Sequence, residues 1–434
     1  MTKPLALLVD DESGILETLA GVLSDNGFLA ITTPSGLEAV RIYRERRPDV
    51  VFLDVWLPDR DGLETLQALR ELDPEATVVM ISGHGTTATA VRSIKMGAFE
   101  YLEKPLSYEQ VLAAARGAVK SRRSRQGGMS DSGLRQRPAD VGMAARTPPP
   151  PLRNLRRSDA PQRTLRQNTV LYGMGLHSGG RTGLVLQPLP PGSGIHFHSM
   201  PSGDSIPARV EAVGDTEYAT TLGGNGAQIK TVEHLLSALH AAGVTNLLIK
   251  VHGEVPVLDG SAIEFCRTFE AIGVEEQDER RLDFVVDRTY ELGQGEKRLS
   301  IEPFDGLAVS YLLRYPPPIG TQQYDFELSD FAAYEREIAP ARTFGFMRDL
   351  KMMNELGLGS GGRLDNFILV GEDNVLNTEL RFPDEFVRHK ILDIIGDLYL
   401  LGYPLRGRVT ARLTGHRDNI AMVRKLVAEN SPTS

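Results

Sequence analysis

Cys266 is the only cysteine among 434 residues. The chain can therefore form no internal disulfide and no cysteine-based zinc cluster. Any metal must be held by histidine, aspartate or glutamate, and so little cysteine suits a reducing compartment. No apolar run approaches the length of about 18 residues needed for a membrane span, and the run at Leu5 to Val9 is far too short for a secretion signal. A cytoplasmic protein without a membrane span is expected. A basic surplus is missing too: the formal net charge is -9, which gives no reason to expect nucleic acid as a partner. Neither Gly-x-x-x-x-Gly-Lys-Ser/Thr nor His-Glu-x-x-His occurs, which argues against a P-loop ATPase and against the zinc peptidases that carry the second motif. What is present is an ordinary globular composition, 41% hydrophobic and 24% charged, at a length that predicts two or three domains.

Five apolar runs, Leu5 to Val9, Phe28 to Thr32, Val50 to Leu53, Thr77 to Ile81 and Ala98 to Leu102, are separated by gaps that each hold one amphipathic helix. The pattern predicts a doubly wound α/β domain of (βα)₅ type over residues 1–120, with chemistry at the carboxyl ends of the strands. Asp10, Asp11, Asp54, Ser82, Tyr101 and Lys104 all fall at those ends. Three carboxylates on one edge repel unless a cation lies between them, and oxygen ligands suit Mg²⁺. A lysine and a hydroxyl opposite them would neutralise and hydrogen-bond a phosphoryl group carried on one carboxylate.

This arrangement closely resembles the receiver domain of bacterial two-component response regulators. The resemblance implies that Asp54 accepts a phosphoryl group from a sensor histidine kinase. It also implies that Asp10 and Asp11 help hold Mg²⁺ at Asp54, that Lys104 bonds the phosphoryl oxygens, and that Ser82 and Tyr101 relay its presence. Asp54-Val-Trp-Leu-Pro58 and Ser82-Gly-His-Gly look most like receivers that precede an ATPase domain, which does not follow here.

Residues 121–161 are rich in Arg, Ser, Gly and Pro, with prolines at 148–151, and lack apolar periodicity; they read as a flexible tether. Their basic surplus could bring them to an anionic membrane as a peripheral contact, although a merely solvated linker is the simpler and preferred reading. Beyond the tether, strands and helices alternate without βα regularity. Strands around Gly173, Gly175 and Gly179, a helix from an N-cap at Thr231 to Ala242, a strand to Val251 and a helix to Ile272 are followed by a similar order after Asp283. This predicts a two-layer α+β module of two related halves, 162–284 and 285–434.

The most informative stretch is Asp384 to Gly402. As a helix it sets His389, Asp393 and Asp397 at successive i, i+4 steps on one face, while Phe386, Val387, Ile391, Leu392, Ile394, Ile395, Leu398 and Leu401 fill much of the rest. Charge on a buried helix requires compensation by a salt-bridge partner or a metal, and the helix alone leaves both open. His234, in Thr231-Val-Glu-His-Leu235, would complete a His₂Asp set with His389 and Asp393, the ligand class of a catalytic zinc that keeps a position for water. Glu233 is then placed to take a proton from that water, and His416, on a glycine-containing turn, to reach in as an acid.

The module resembles UDP-3-O-acyl-N-acetylglucosamine deacetylase, the zinc enzyme of lipid A biosynthesis in Gram-negative bacteria. The words carrying the resemblance are Gly173-Met-Gly-Leu-His-Ser178, Thr231-Val-Glu-His-Leu235, Pro256-Val-Leu-Asp-Gly-Ser261, Ala341-Arg-Thr-Phe-Gly-Phe346, Asp384 to Asp397, and Thr414-Gly-His416. It implies that His234, His389 and Asp393 bind Zn²⁺, with Fe²⁺ suited to the same ligands. Glu233 would be the base, His416 the acid, Asp397 the carboxylate that orients it, and Thr343 a stabiliser of the oxyanion. Lys390, counted with the catalytic set, and Lys297 would meet the diphosphate, and Tyr315 would stack on uracil. Phe344 opens the segment to Leu376 that would form an acyl-chain passage. His177 and Asp259 lie in matching words and are expected near substrate. Around Tyr218-Ala-Thr-Thr221 the sequence departs from the family, which often has cysteine there. The alternative reading is a two-component signalling protein whose module binds nucleotide sugar or a partner without catalysis; a missing ligand or base would mark it, and none is missing.

Overall fold

The computed structural model describes residues 3–82, 92–104, 106, 108–125, 152–224, 226–349, 359–362 and 366–432. The chain divides into two compact units, the first taking in residues 1–145 with 168–172 and 181–185, the second the remainder.

In the first unit, β1 (Leu5–Val9), β2 (Leu29–Thr33), β3 (Val50–Asp54), β4 (Val78–Ser82) and β5 (Glu100–Glu103) form one parallel sheet in the order β2-β1-β3-β4-β5. Helices α1 (Ser13–Asp25), α2 (Gly36–Arg46), α3 (Gly62–Leu72) and α4 (Tyr108–Arg125) complete the described part of the expected doubly wound domain. Successive strand residues feed opposite layers: Ala6 and Leu8 pack with Ile15, Leu19, Val111 and Ala115, while Leu7 and Val9 pack with Tyr43, Leu66 and Met80. Burial on both faces is why these strands read as unbroken apolar runs. Ser35 and Asp61 cap α2 and α3, accepting from Glu38 N at 3.0 Å and Leu63 N at 2.7 Å. The strand order reverses between β1 and β3, so Asp10 and Asp54 stand on either side of the switch point.

Most of the expected tether, including the prolines at 148–151, lies outside the described residues, as do Gly83-His84-Gly85 and residues 350–358 and 363–365 of the expected acyl-chain segment. At its ends, α4 runs on to Arg125, and residues 155–161 already belong to β6 (Leu155–Leu165), which pairs antiparallel with β15 (Val274–Val285). An edge ribbon gains its order from main-chain pairing and needs no apolar periodicity, so composition alone could not mark this start.

From residue 152 onward the chain is built on mixed sheets. β7 (Thr169–Met174), β8 (Arg181–Pro188), β9 (Ile195–Ser199), β10 (Ser205–Pro207) and β14 (Leu247–Val251) run in the order β10-β9-β14-β8-β7. A second sheet holds β16 (Tyr290–Gln294), β17 (Lys297–Glu302), β22 (Leu405–Arg412), β15 and β6, with β18 (Leu307–Arg314) and β19 (Thr321–Glu327) attached through β22. The run helix, strand, helix occurs twice: as α5 (Glu233–Ala242), β14, α6 (Ile263–Ile272), and again as α8 (Glu385–Tyr399), β22, α9 (His416–Asn430), with α7 (Phe331–Glu337) lying between the two runs. β14 lies parallel to β9 as β22 does to β18.

Helices α5 and α8 pack together, with Leu235, Leu236, Leu239, Ile391, Ile394, Ile395 and Leu398 all buried. Each such side chain contributes roughly 1.5–3 kcal/mol of burial. Their crossing is close because Gly396 has no side chain: a Cβ there would overlap the carbonyl oxygen of Glu233. The start of α5 differs from the sequence expectation. Thr231 is not its N-cap; it takes a left-handed φ of 59° and donates from Oγ1 to Glu254 Oε1 at 3.0 Å, and the helix begins at Glu233. The buried Glu254 carboxylate, which also accepts from His177 N and Ser178 N at 2.9 Å each, out-competes the helix end for that hydroxyl.

Candidate active site

The crossing of α5 and α8 brings residues far apart in sequence around one cavity of about 350 Å³. Glu233 and His234 come from the first turn of α5, and His389, Lys390 and Asp393 from α8. His416 is the first residue of α9, behind an extended Gly415, so it sits at a helix start and not in a free turn. His389 Nδ1 lies 3.0 Å from the carbonyl of Ala341, which assigns the proton to Nδ1 and leaves an Nε2 lone pair. That Nε2 is 3.5 Å from Asp393 Oδ1, and His234 Nε2 is 3.9 Å from the same oxygen. Asp393 Oδ1 is buried with no hydrogen-bond partner among the described residues. A buried carboxylate oxygen without a donor, facing two imidazole nitrogens, fits a divalent cation, and the ligand atoms of the three residues lie within 4.8 Å of one another.

The electrostatics agree with that reading. Burial lowers His234 to about 3 and also lowers His389, so both imidazoles are neutral and keep lone pairs. Burial opposes the charge on Asp393, but Lys390, with Nζ 2.6 Å from Oδ2, outweighs it and holds the carboxyl well below the usual range. Burial raises Glu233 to about 8, against an attraction from His416. His416 is raised as well: burial disfavours its charge, but Asp397 and Asp393 overcome this and raise it to about 9. Asp397 Oδ2 accepts from His416 Nδ1 at 2.8 Å and from Asn419 Nδ2 at 2.9 Å, and Oδ1 accepts from Thr220 Oγ1 at 2.6 Å. Two buried groups whose proton affinities lie near the working pH suit general acid–base chemistry.

His177, Tyr315, Thr343 and Phe344 line the same cavity. Tyr315 meets the rings of Phe344 and Phe346 at 5.9 and 5.1 Å. Both ring nitrogens of His177 are buried without a partner among the described residues. Two expected substrate contacts are not in this wall. Lys297 is exposed and paired with Asp418 at 2.8 Å, and Asp259 is held by Arg381 at 2.8 Å and by Ser261. Sequence reasoning missed Thr220 and Asn419, and within the expected acyl-chain segment it did not single out the lining residues Phe346, Arg348 and Asp349. The signal for Thr220 lay in a stretch read only as a departure from the family, and only its long-range partners reveal it.

At the edge of the receiver-like sheet, Lys104 Nζ lies 2.9 Å from Asp10 Oδ2 and 3.1 Å from Asp54 Oδ1. Burial raises Asp10 to about 7 and raises Asp54 as well, with Lys104 opposing both shifts. Asp11 is exposed beside Asp10, and with Glu12, a residue not singled out in sequence, they form an oxygen-donor cluster able to take a cation. Ser82 is buried at the end of β4, and the Tyr101 hydroxyl is buried without a partner among the described residues. No described helix is long and apolar enough to cross a membrane.

Comparison with known proteins identifies both parts. Residues 6–116 match the response regulator receiver domain, and residues 162–428 match UDP-3-O-acyl N-acetylglycosamine deacetylase. A UDP-3-O-acyl-N-acetylglucosamine deacetylase of Myxococcus xanthus (strain DK1622) is 44% identical over 282 residues, 64% of this chain and 90% of that protein. One of Anaeromyxobacter dehalogenans (strain 2CP-C) is 44% identical over 271 residues, 62% of this chain and 88% of that protein. Among solved structures, the receiver domain of NtrX from Brucella abortus is 41% identical, covering 26% of this chain and 98% of that one at a TM-score of 0.26. The chain thus carries a receiver domain and belongs to the UDP-3-O-acyl N-acetylglycosamine deacetylase family.

Proposed function

We propose that the protein is a zinc-dependent amidohydrolase of the cytoplasm that removes the N-acetyl group of UDP-3-O-acyl-N-acetylglucosamine, with receiver phosphorylation at Asp54 as a control. In this reading a receiver (1–120) and a tether (121–161) precede the two catalytic halves, 162–284 and 285–434. The carrying observation is the convergence of His234, His389 and Asp393 with Glu233 and His416 on one cavity. His234, His389 and Asp393 would hold the metal. When bound, the cation polarises the amide carbonyl and makes water more acidic.

The residues divide the rest of the work. Glu233, buried and close to neutral pH in its proton affinity, becomes a carboxylate more readily beside a divalent cation and accepts the proton of the attacking water. Oxygen bonds to the acetyl carbon, and the Thr343 hydroxyl donates to the oxyanion that develops there. The carbon–nitrogen bond then breaks as His416 gives its Nε2 proton to nitrogen, while Asp397 holds Nδ1. Acetate and the free amine leave. Lys390 screens the diphosphate side, and Tyr315 and Phe344 offer apolar faces to base or acyl chain. In the receiver, Asp10 and Asp11 would hold Mg²⁺ while Asp54 takes the phosphoryl group from a sensor histidine kinase and Lys104 bonds its oxygens, with Ser82 and Tyr101 reporting it.

Acetate release from the UDP-sugar, measured with zinc content for wild type, Glu233→Ala and His416→Ala, tests the reading. Activity is expected in the wild type alone, with metal retained in all three. An inactive wild type with full zinc would sink it.

A further inference from the structure

Thr220 is wholly buried and has no part in the chemistry above, yet it touches both ends of it. Its main-chain N–H donates to Glu233 Oε2 at 3.1 Å. Its hydroxyl donates to Asp397 Oδ1 at 2.6 Å and lies 3.4 Å from His416 Nδ1. One residue therefore grips the carboxylate of the base with its backbone and the carboxylate behind the acid with its side chain. The other oxygen of Asp397 is already taken by His416 and Asn419. Substituting a methyl group for the Thr220 hydroxyl would leave Oδ1, fully buried, without its donor.

The local backbone is shaped for this contact. Tyr218, two residues earlier, holds a left-handed φ of 64°, a costly conformation for a large side chain, and β12 (Thr221–Gly224) begins one residue later. Between the two, Thr220 is turned inward, and its β-branch restricts χ1 so that the hydroxyl is held on Asp397. A threonine serving packing alone would need no such partner. We propose that Thr220 is a positioning residue for the hydrolysis, fixing Glu233 and the His416–Asp397 pair relative to one another. The proposal rests on the deacetylase reading.

The test uses the full-length, metal-replete protein and the variants Thr220→Val, Thr220→Ser and Thr220→Ala, with kcat and KM measured separately alongside zinc content and thermal midpoint. A misplacement of reacting groups by about 1 Å costs on the order of 100-fold. Thr220→Val is accordingly expected to lower kcat by roughly 10- to 100-fold, with KM changed less than about 2-fold and zinc unchanged. Thr220→Ser should keep kcat within about 3-fold of wild type. Where Thr220→Val fails to fold, the Ser and Ala pair isolates the same hydroxyl, and Ala should show the same loss relative to Ser. Equal kcat for Val and wild type, or equal losses in Ser and Ala, would overturn the proposal while leaving an active wild type and the deacetylase reading intact. An inactive wild type would remove both.

Discussion

Asp393 and Asp397 stand one helical turn apart on α8 and face opposite ends of the same imidazole: His416 Nδ1 is 2.8 Å from Asp397 Oδ2, and Nε2 is 3.8 Å from Asp393 Oδ2. Two chemically identical side chains thereby have separable tasks. Asp393→Ala should lose the metal, read as zinc per protein after dialysis. Asp397→Ala should keep it and lose roughly 100-fold or more in kcat. Equal zinc loss in both variants would contradict this division.

A buried ion pair supports α8 at its first turn. Glu385, fully buried, accepts from Arg342 Nε at 2.8 Å and from the main-chain N–H groups of Arg342 and Arg381 at 3.0 and 2.6 Å. Glu385→Ala would leave the guanidinium of Arg342 and two amides without that acceptor. A loss of about 3–5 kcal/mol is expected, read from the urea midpoint of the unit's unfolding.

His240 makes acid stability a test of burial. Burial lowers its pKa from 6.5 to about 4, while its ring stacks on Tyr399 and Nδ1 meets the carbonyl of Ile395. The unfolded chain binds the proton more tightly, so this contribution is intact above about 6.5 and is lost as pH falls towards 4. At roughly 1.4 kcal/mol per unit, about 3 kcal/mol is at stake. His240→Gln, which cannot titrate, should show a shallower fall of thermal midpoint across that window than wild type.

Control through the receiver is separable from catalysis. Acetyl phosphate with Mg²⁺ should label the wild type and leave Asp54→Ala unlabelled. Deacetylation by the labelled protein should then differ from that of the variant at matched concentration. Identical rates would remove the regulatory link and leave the catalytic proposal standing.

Much of this was legible where local pattern and chemistry coincide. The runs that became β1, β3 and β4 are apolar throughout because both sheet faces are covered, and the face of α8 announced itself by i, i+4 spacing. Legibility failed where partners are remote. Thr231 looks like a helix cap until Glu254 is seen beside it, and Thr220 looks like loop until Asp397 and Glu233 close around it. Lys297 shows the converse, since its charge attracts a phosphate reading until the surface pairing with Asp418 appears.

Gly396 makes the site a matter of calibration as well as chemistry. With only hydrogen on its α-carbon, it sets the separation of α5 and α8 against the carbonyl of Glu233, the residue immediately before His234. It thus acts as a gauge block between the helix that supplies one imidazole and the helix that supplies the other ligands. Because the stop is backbone against backbone, no rotamer change can absorb an added methyl. The spacing of the candidate metal centre is in this sense written at a residue that donates nothing to it.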